Sequence, residues 1–169
     1  AYLERGMHNL PQPVRLFYFC PIFRYERPQA GRYRQHHQFG IEAIGAGEPL
    51  IDVEVIQVGW TLLQELGLGS LSLVVNTIGD TACRPGYLER LQGYYQGHLE
   101  RVCQDCRRRY ERNPLRLLDC KQESCQPFIG DAPRSADYLC GDCRDHWESL
   151  RSHLDDLGIV YQVDHRLVR

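Results

Sequence analysis

Residues 21–45 read PIFRYERPQAGRYRQHHQFGIEAIG, and this stretch decides the fold. It holds four arginines, two glutamates and three glutamines, yet both of its flanks have the pattern of strands. Upstream, Val14-Arg15-Leu16-Phe17-Tyr18-Phe19 is rich in aromatic residues. Downstream, Phe39, Ile41 and Ala43 alternate with Gln38, Gly40 and Glu42. Between the two runs, Pro28-Gln29-Ala30-Gly31 is a turn signal. The pattern predicts a long antiparallel hairpin with a charged loop. Side chains two apart share a face of a strand, so Arg24 and Glu26 point together, as do Gln38, Gly40 and Glu42. That face would offer a guanidinium, carboxylates and an amide around a glycine, whose missing side chain lets a ligand come close. Such a floor suits a ligand with both anionic and cationic groups.

Working outward, the 169 residues are 43% hydrophobic and 25% charged, which fits a globular chain rather than a disordered one. The formal net charge is −2, so any nucleic-acid contact must come from a local patch. No apolar run approaches the ~20 residues of a membrane helix, and no signal peptide is visible. The chain starts on Ala1 and stops on Arg169, and it reads as a piece of a longer protein. After the hairpin, Val53, Ile56, Trp60, Leu63 and Leu66 predict an amphipathic helix over 49–66, with Gly67 at its end. Residues 71–76 read as a strand returning to the hairpin's sheet. Gly79-Asp80-Thr81 breaks the pattern, and a domain boundary is expected there. From about Pro85 the period is helical, with Leu88, Leu91, Tyr95, Leu99 and Val102 on one face. Residues 119–136 read as loop, 136–157 as a last helix, and 159–163 as a strand. The expected organisation is α+β: a partial sheet domain over 1–78, a helical, cysteine-rich insertion over 79–158, and a return strand over 159–169.

Six of the eight cysteines lie between Cys103 and Cys143. Two Cys-x-x-Cys pairs, Cys103/Cys106 and Cys140/Cys143, suggest a structural zinc, because one tight turn supplies two of zinc's four ligands. These four are the expected tetrad, and Cys120 or Cys125 could replace a member. The alternative is a set of reduced core thiols. Directly after the first pair, Arg107-Arg108-Arg109 is the densest basic run. It reads either as a solvated helix face or as a stripe contacting phosphates without reading sequence.

FRYERPQAGRYRQHHQ closely resembles the second signature motif of class II aminoacyl-tRNA synthetases, in the form found in histidyl-tRNA synthetases. Ala1-Tyr2-Leu3-Glu4-Arg5-Gly6-Met7, Pro11-Gln12-Pro13-Val14-Arg15 and the segment from Asn113 through Lys121 match in the same order. Leu167-Val168-Arg169 resembles the start of a histidyl-specific motif. The resemblance spans essentially the whole chain, with the cysteine-rich middle its least typical part. It implies a partial antiparallel class II catalytic sheet, interrupted by an insertion domain held against the tRNA acceptor stem.

The resemblance also implies roles. Amino-acid activation joins a carboxylate to the α-phosphate of ATP, and fixed cations must meet the charge that accumulates at phosphorus. Arg24 matches the arginine bridging that phosphate and the amino-acid carboxylate; Arg169 matches a family-specific arginine that stabilises the α-phosphate. Glu26 matches the adenine contact, Arg32 the outer-phosphate arginine, and His36 a stacking position that is usually aromatic. Gln38 and Glu42 match contacts to the substrate histidine. A carboxylate facing an imidazole N–H rejects apolar competitors, which would leave it unpaired. Arg107, Arg108 and Arg109 would contact tRNA. Implied partners are ATP with Mg2+, histidine, tRNA(His) and, in the full-length parent, a second copy of itself; the implied location is the cytoplasm, with no membrane partner. The isolated chain is expected to be inactive. Two alternatives are the synthetase-like regulatory subunit of ATP phosphoribosyltransferase in histidine biosynthesis and a free-standing zinc-ribbon RNA-binding module. The retained Arg24, Gln38, Glu42 and Arg169 argue against the first, and residues 1–78 against the second.

Overall fold

The computed structural model describes residues 1–168. Contacts divide the chain into two compact units, Ala1–Gly69 and Ser70–Arg169.

In the first unit, β1 (Val14–Phe23) pairs antiparallel with β2 (Gln35–Ile44), with Val14 opposite Ile44 and Phe23 opposite Gln35. The ladder runs on past the strand end, where the Arg24 N–H donates to the Arg34 carbonyl at 2.7 Å. At the tip, Gln29 and Arg32 exchange backbone hydrogen bonds of 2.9 and 3.2 Å around Ala30 and Gly31. Gly31 has φ +73°, a conformation that glycine adopts without steric cost. The expected hairpin therefore forms, with its turn at the expected glycine. Helix α1 (Pro49–Glu65) starts on a proline whose fixed φ suits the first turn, and ends within a residue of the predicted limit. Arg15 reaches from β1 to this helix, its Nη2 donating to Glu54 Oε2 at 2.7 Å. Among the described residues of this unit, Val14 and Val53 are the buried apolar side chains. Phe17, Phe19 and Phe23, on the odd-numbered face of β1, are 76%, 70% and 72% exposed.

The second unit holds β3 (Leu73–Val75) and β4 (Tyr161–Val163), which pair in parallel with Leu73 opposite Tyr161. The sequence pattern sends residues 71–76 back to the hairpin's sheet; instead β3 and β4 form a two-stranded sheet of their own. Side chain and backbone extend that pairing: Asn76 Nδ2 donates to the Leu167 carbonyl at 3.0 Å, and the Asp164 N–H to the Val75 carbonyl at 3.1 Å.

Between these strands run α2 (Arg84–Gln96), α3 (Gln104–Arg112), α4 (Gln126–Gly130) and α5 (Gly141–Asp156). The helix expected to run on to Val102 stops at Gln96, before Gly97, so Leu99 and Val102 pack from turns. Asn113 leaves helical geometry at φ −157°, and Pro114 opens a short 3-10 turn. The segment read as loop over 119–136 is more ordered than expected: a 3-10 turn at Glu123–Cys125 leads into α4, which buries Phe128 and Ile129. The last helix is in fact two pieces, Ser135–Tyr138 and α5, separated by extended residues at Leu139 and Cys140.

Tyr87, Leu91 and Tyr95 recur every four residues on α2 and form the core with Leu117, Leu118, Phe128, Ile129 and the buried cysteines. The tyrosine hydroxyls find acceptors at the rim, Tyr87 at the Pro133 carbonyl (3.1 Å) and Tyr94 at the Phe128 carbonyl (3.0 Å). Among the described residues, no helix is long and apolar enough to cross a membrane.

Candidate functional site

The hairpin register determines which side chains meet. Leu16 faces Glu42, Tyr18 faces Gly40, Cys20 faces Gln38, and Ile22 faces His36. His36, Gln38, Gly40 and Glu42 thus share the even-numbered face, and Arg24 joins it: its Nη2 lies 3.2 Å from His36 Nε2. His36 Nδ1 is buried without a partner, so the ring is held from one side by a cation. Nearer the tip, Arg32 pairs with Glu26 at 3.4 Å, with both side chains more than half exposed. Arg169 lies outside the described residues.

Tyr18 is the residue that sequence reasoning missed. A Cβ built on Gly40 would sit 2.1 Å from Tyr18 Cζ, so the tyrosine ring lies across the glycine. The space left by Gly40 serves that ring, whereas the sequence suggested direct approach of a ligand. The ring's hydroxyl accepts a 2.7 Å hydrogen bond from Gln38 Nε2, which fixes the amide over the floor. The signal was available only in the register, since Tyr18 and Gly40 are 22 residues apart in sequence yet directly opposite in space. A separate apolar cleft of about 410 Å³ between the hairpin and α1 is lined mainly by the other face, including Phe17, Phe39, Ile41, Val55 and Val58. Glu42 also reaches it, but its other charged residues, Arg15 and Glu54, are engaged with each other, so the even-numbered face, where Arg24 meets His36, is the better candidate.

The three arginines of the basic run do not share one face. At about 100° per residue, neighbours on a helix point apart. Arg107 folds back onto the Glu100 and Val102 carbonyls (2.8 and 3.2 Å), and Arg108 pairs with Asp105. Arg109 alone of the three lines a cleft of about 560 Å³, together with Arg116, Lys121 and Arg166. Asp105 and Asp119 also line it, and Asp119 lies 3.5 Å from Arg116. Arg166 is held by Asp164 through a 2.7 Å Nη2–Oδ2 contact, and this guanidinium keeps the Asp164 carboxyl down at about 2.

The cysteines group differently from the expected tetrad of Cys103, Cys106, Cys140 and Cys143. The two Cys-x-x-Cys pairs belong to separate clusters, because they start two different helices, α3 and α5. Cys103 and Cys106 meet Cys120 and Cys125; Cys140 and Cys143 meet Cys83 and Asp80. In each cluster the ligand atoms all lie within 4.8 Å of one another. Cys103 Sγ–Cys120 Sγ and Cys125 Sγ–Cys106 Sγ are both 3.8 Å. A tetrahedron with ~2.3 Å metal–sulfur bonds has edges of ~3.8 Å, so the all-cysteine cluster has the dimensions of a zinc site. The Cys103 N–H donates to Cys125 Sγ at 3.3 Å. Burial pushes the Cys106 thiol up. Burial also opposes ionisation of Cys103, but the Cys106 N–H and the neighbouring thiols outweigh it and bring Cys103 down to about 7. In the second cluster the Cys140 N–H draws the Cys83 thiol down, while burial, with the adjacent thiols, pushes Cys143 up to about 12.

Comparison with known proteins points to one family. A histidyl-tRNA synthetase family model matches residues 3–81. The histidine–tRNA ligase of Desulforamulus reducens is 51% identical over all 169 residues, and that of Dehalococcoides mccartyi 52%. The chain is similar over its whole length to histidyl-tRNA synthetases. A crystal structure of apo Staphylococcus aureus histidyl-tRNA synthetase aligns over 99% of the chain with a TM-score of 0.73 and 38% identity. The chain spans 40% of the length of the two curated relatives and 38% of the solved synthetase. These matches lend no support to the regulatory-subunit or free-standing zinc-ribbon readings. The similarity extends across the cysteine-rich part, since the relatives' identity runs over the full chain.

Proposed function

We propose that this chain supplies the motif-two floor and the insertion domain of a cytoplasmic, homodimeric histidine–tRNA ligase, which makes histidyl-adenylate from histidine and ATP and passes histidine to tRNA(His). The observation that carries this reading is the hairpin register. It sets Arg24, His36, Gln38 and Glu42 along one face of the hairpin. Arg24 would hold the α-phosphate and the histidine carboxylate, because a guanidinium binds two oxygens at once and stays charged. Its contact with His36 keeps that guanidinium near the ring that would stack on adenine. Glu26 would receive the adenine amino group and Arg32 the outer phosphates, in exchange for their mutual ion pair. Such an exposed pair is worth only ~0–1 kcal/mol, so it yields readily. Gln38, held by Tyr18, and Glu42 would select the substrate imidazole. Arg169 would add a second cation at the α-phosphate.

Residues 79–158 would form the insertion that meets the acceptor stem. Of the basic residues, Arg107 and Arg108 are engaged within the unit, and Arg116 and Arg166 pair with Asp119 and Asp164, so Arg109 and Lys121 are the better phosphate contacts. Cys103, Cys106, Cys120 and Cys125 would hold one structural zinc. Mg2+ would arrive with ATP as part of the substrate.

The reading is tested in the full-length enzyme by exchange of labelled pyrophosphate into ATP with each amino acid in turn. Exchange should depend on histidine alone, and Glu42→Gln should weaken histidine selectively. The isolated chain should show no exchange, because clamps misplaced by ~1 Å already cost ~100-fold. Exchange driven equally by another amino acid would overturn the assignment.

A further inference from the structure

Each of the three longest helices of Ser70–Arg169 begins on a cysteine: α2 after Cys83, α3 after Cys103 and α5 after Cys140. The N-cap position ordinarily goes to Ser, Thr, Asp or Asn, whose side-chain oxygen accepts an N–H of the first turn. None of these three cysteines makes a side-chain cap bond. Cys103 and Cys140 have the extended backbone of an ordinary cap, φ/ψ −63°/161° and −67°/172°, so the geometry of a cap is present without its function. In each case the thiol belongs to a four-residue cluster instead. A helix N-terminus favours negative charge and hence the thiolate, the form that binds metal.

We propose that Asp80, Cys83, Cys140 and Cys143 bind a second divalent ion of the zinc type, independent of the ion at the all-cysteine cluster, so that one chain holds two. Three thiolates and one carboxylate are all donors zinc accepts, and four of them complete a closed structural site. A carboxylate oxygen of Asp80 and the three sulfurs lie within 4.8 Å of one another. The surroundings are built around them. Asp80 Oδ1 accepts the N–H groups of Ala82 and Cys83 at 2.9 and 3.0 Å, which fixes the carboxylate as a ligand's outer hydrogen bonds do. Gly79 has φ +65°, and a Cβ there would meet Cys83 Sγ at 2.4 Å, so the sulfur's position requires glycine. Arg84 ties the same loop down, donating to the Gly79 carbonyl at 2.7 Å and the Ile78 carbonyl at 3.2 Å. An ion here would join the start of α2 to the start of α5. The proposal rests on these contacts and stands independently of the synthetase reading.

The test is metal stoichiometry. The 169-residue chain, made with zinc supplied and purified without chelator, should carry about two zinc ions by elemental mass spectrometry. Cys140→Ser and Cys106→Ser should each leave about one, and the double variant none. Cobalt(II) in place of zinc gives thiolate-to-metal absorbance that scales with the number of cobalt–sulfur bonds, seven in all, four in one cluster and three in the other. Cys140→Ser should therefore remove a little under half of that absorbance. Should Cys140→Ser fail to fold, Asp80→Asn and Gly79→Ala carry the test, each expected to weaken one of the two ions by tenfold or more and leave the other unchanged. A wild-type chain with one ion that Cys140→Ser leaves in place would overturn the proposal. Unchanged affinity of both ions in Asp80→Asn and Gly79→Ala would overturn it equally.

Discussion

The two units spend their residues in opposite ways. Ala1–Gly69 sets its candidate chemistry on a two-stranded hairpin and one helix, with Val14 and Val53 as its buried apolar side chains and three phenylalanines of β1 largely exposed. Ser70–Arg169 buries a tyrosine- and leucine-rich core and adds two four-donor clusters. The first unit presents side chains on a thin scaffold whose aromatic face stays largely exposed at Phe17, Phe19 and Phe23. The second spends its cysteines on its own architecture, since short helices of nine to sixteen residues bury too little area to be secure alone. The contrast separates presentation of a ligand floor from construction of a self-sufficient module.

Metal removal should divide the units most sharply. Structural zinc contributes ~10–16 kcal/mol in small metal-dependent folds, comparable with the whole stability of a domain. A strong chelator should therefore abolish hydrogen-exchange protection at Leu91 and Tyr95 while leaving the β1–β2 ladder unchanged. Equal protection in both states would show that the core needs no metal. The same contrast appears in point substitutions. Leu91→Ala, at a fully buried site, should cost ~2–5 kcal/mol in denaturant unfolding. Phe19→Ala, 70% exposed, should change stability by less than ~0.5 kcal/mol.

Within the hairpin, Gly40→Ala should displace the Tyr18 ring and release Gln38. In the full-length enzyme this should raise the KM for histidine by about 5–10-fold, the worth of one hydrogen bond at ~1–1.4 kcal/mol, with little change in unfolding. The smallest effect concerns Asp164, whose carboxyl is held at about 2 by Arg166. Because the folded value is depressed, this pair's contribution is present above the unfolded pKa of ~3.9 and is lost as pH falls through about 2. Asp164→Asn should lower stability at neutral pH by less than ~1 kcal/mol and leave it unchanged once the pH is well below the folded value.

Local pattern made the hairpin and α1 legible, since alternation, a turn signal and three-four spacing are all short-range. The even-numbered face was legible for the same reason. Tyr18 was not, because its role depends on the residue across the ladder. The partner of β3 was hidden too, as a three-residue strand carries no record of whether it pairs with the hairpin or with a strand nearly ninety positions away. The cysteines were visible as candidate ligands but not as sets: Cys-x-x-Cys spacing specifies which two share a turn, while the other two potential donors come from loops brought in by packing. Asp80 was read as part of a break in the pattern, since a lone aspartate in a loop has no metal signature.

The central claim is that the even-numbered hairpin face is where histidine is activated. Histidine-dependent exchange of pyrophosphate into ATP by the full-length enzyme carrying Arg24→Ala tests it most directly. The exposed Arg24 contributes no core packing, so thermal unfolding should be unchanged. Loss of a cation aimed at developing charge should cut exchange by about 100–1,000-fold. Exchange within about twofold of the unsubstituted enzyme would contradict the account.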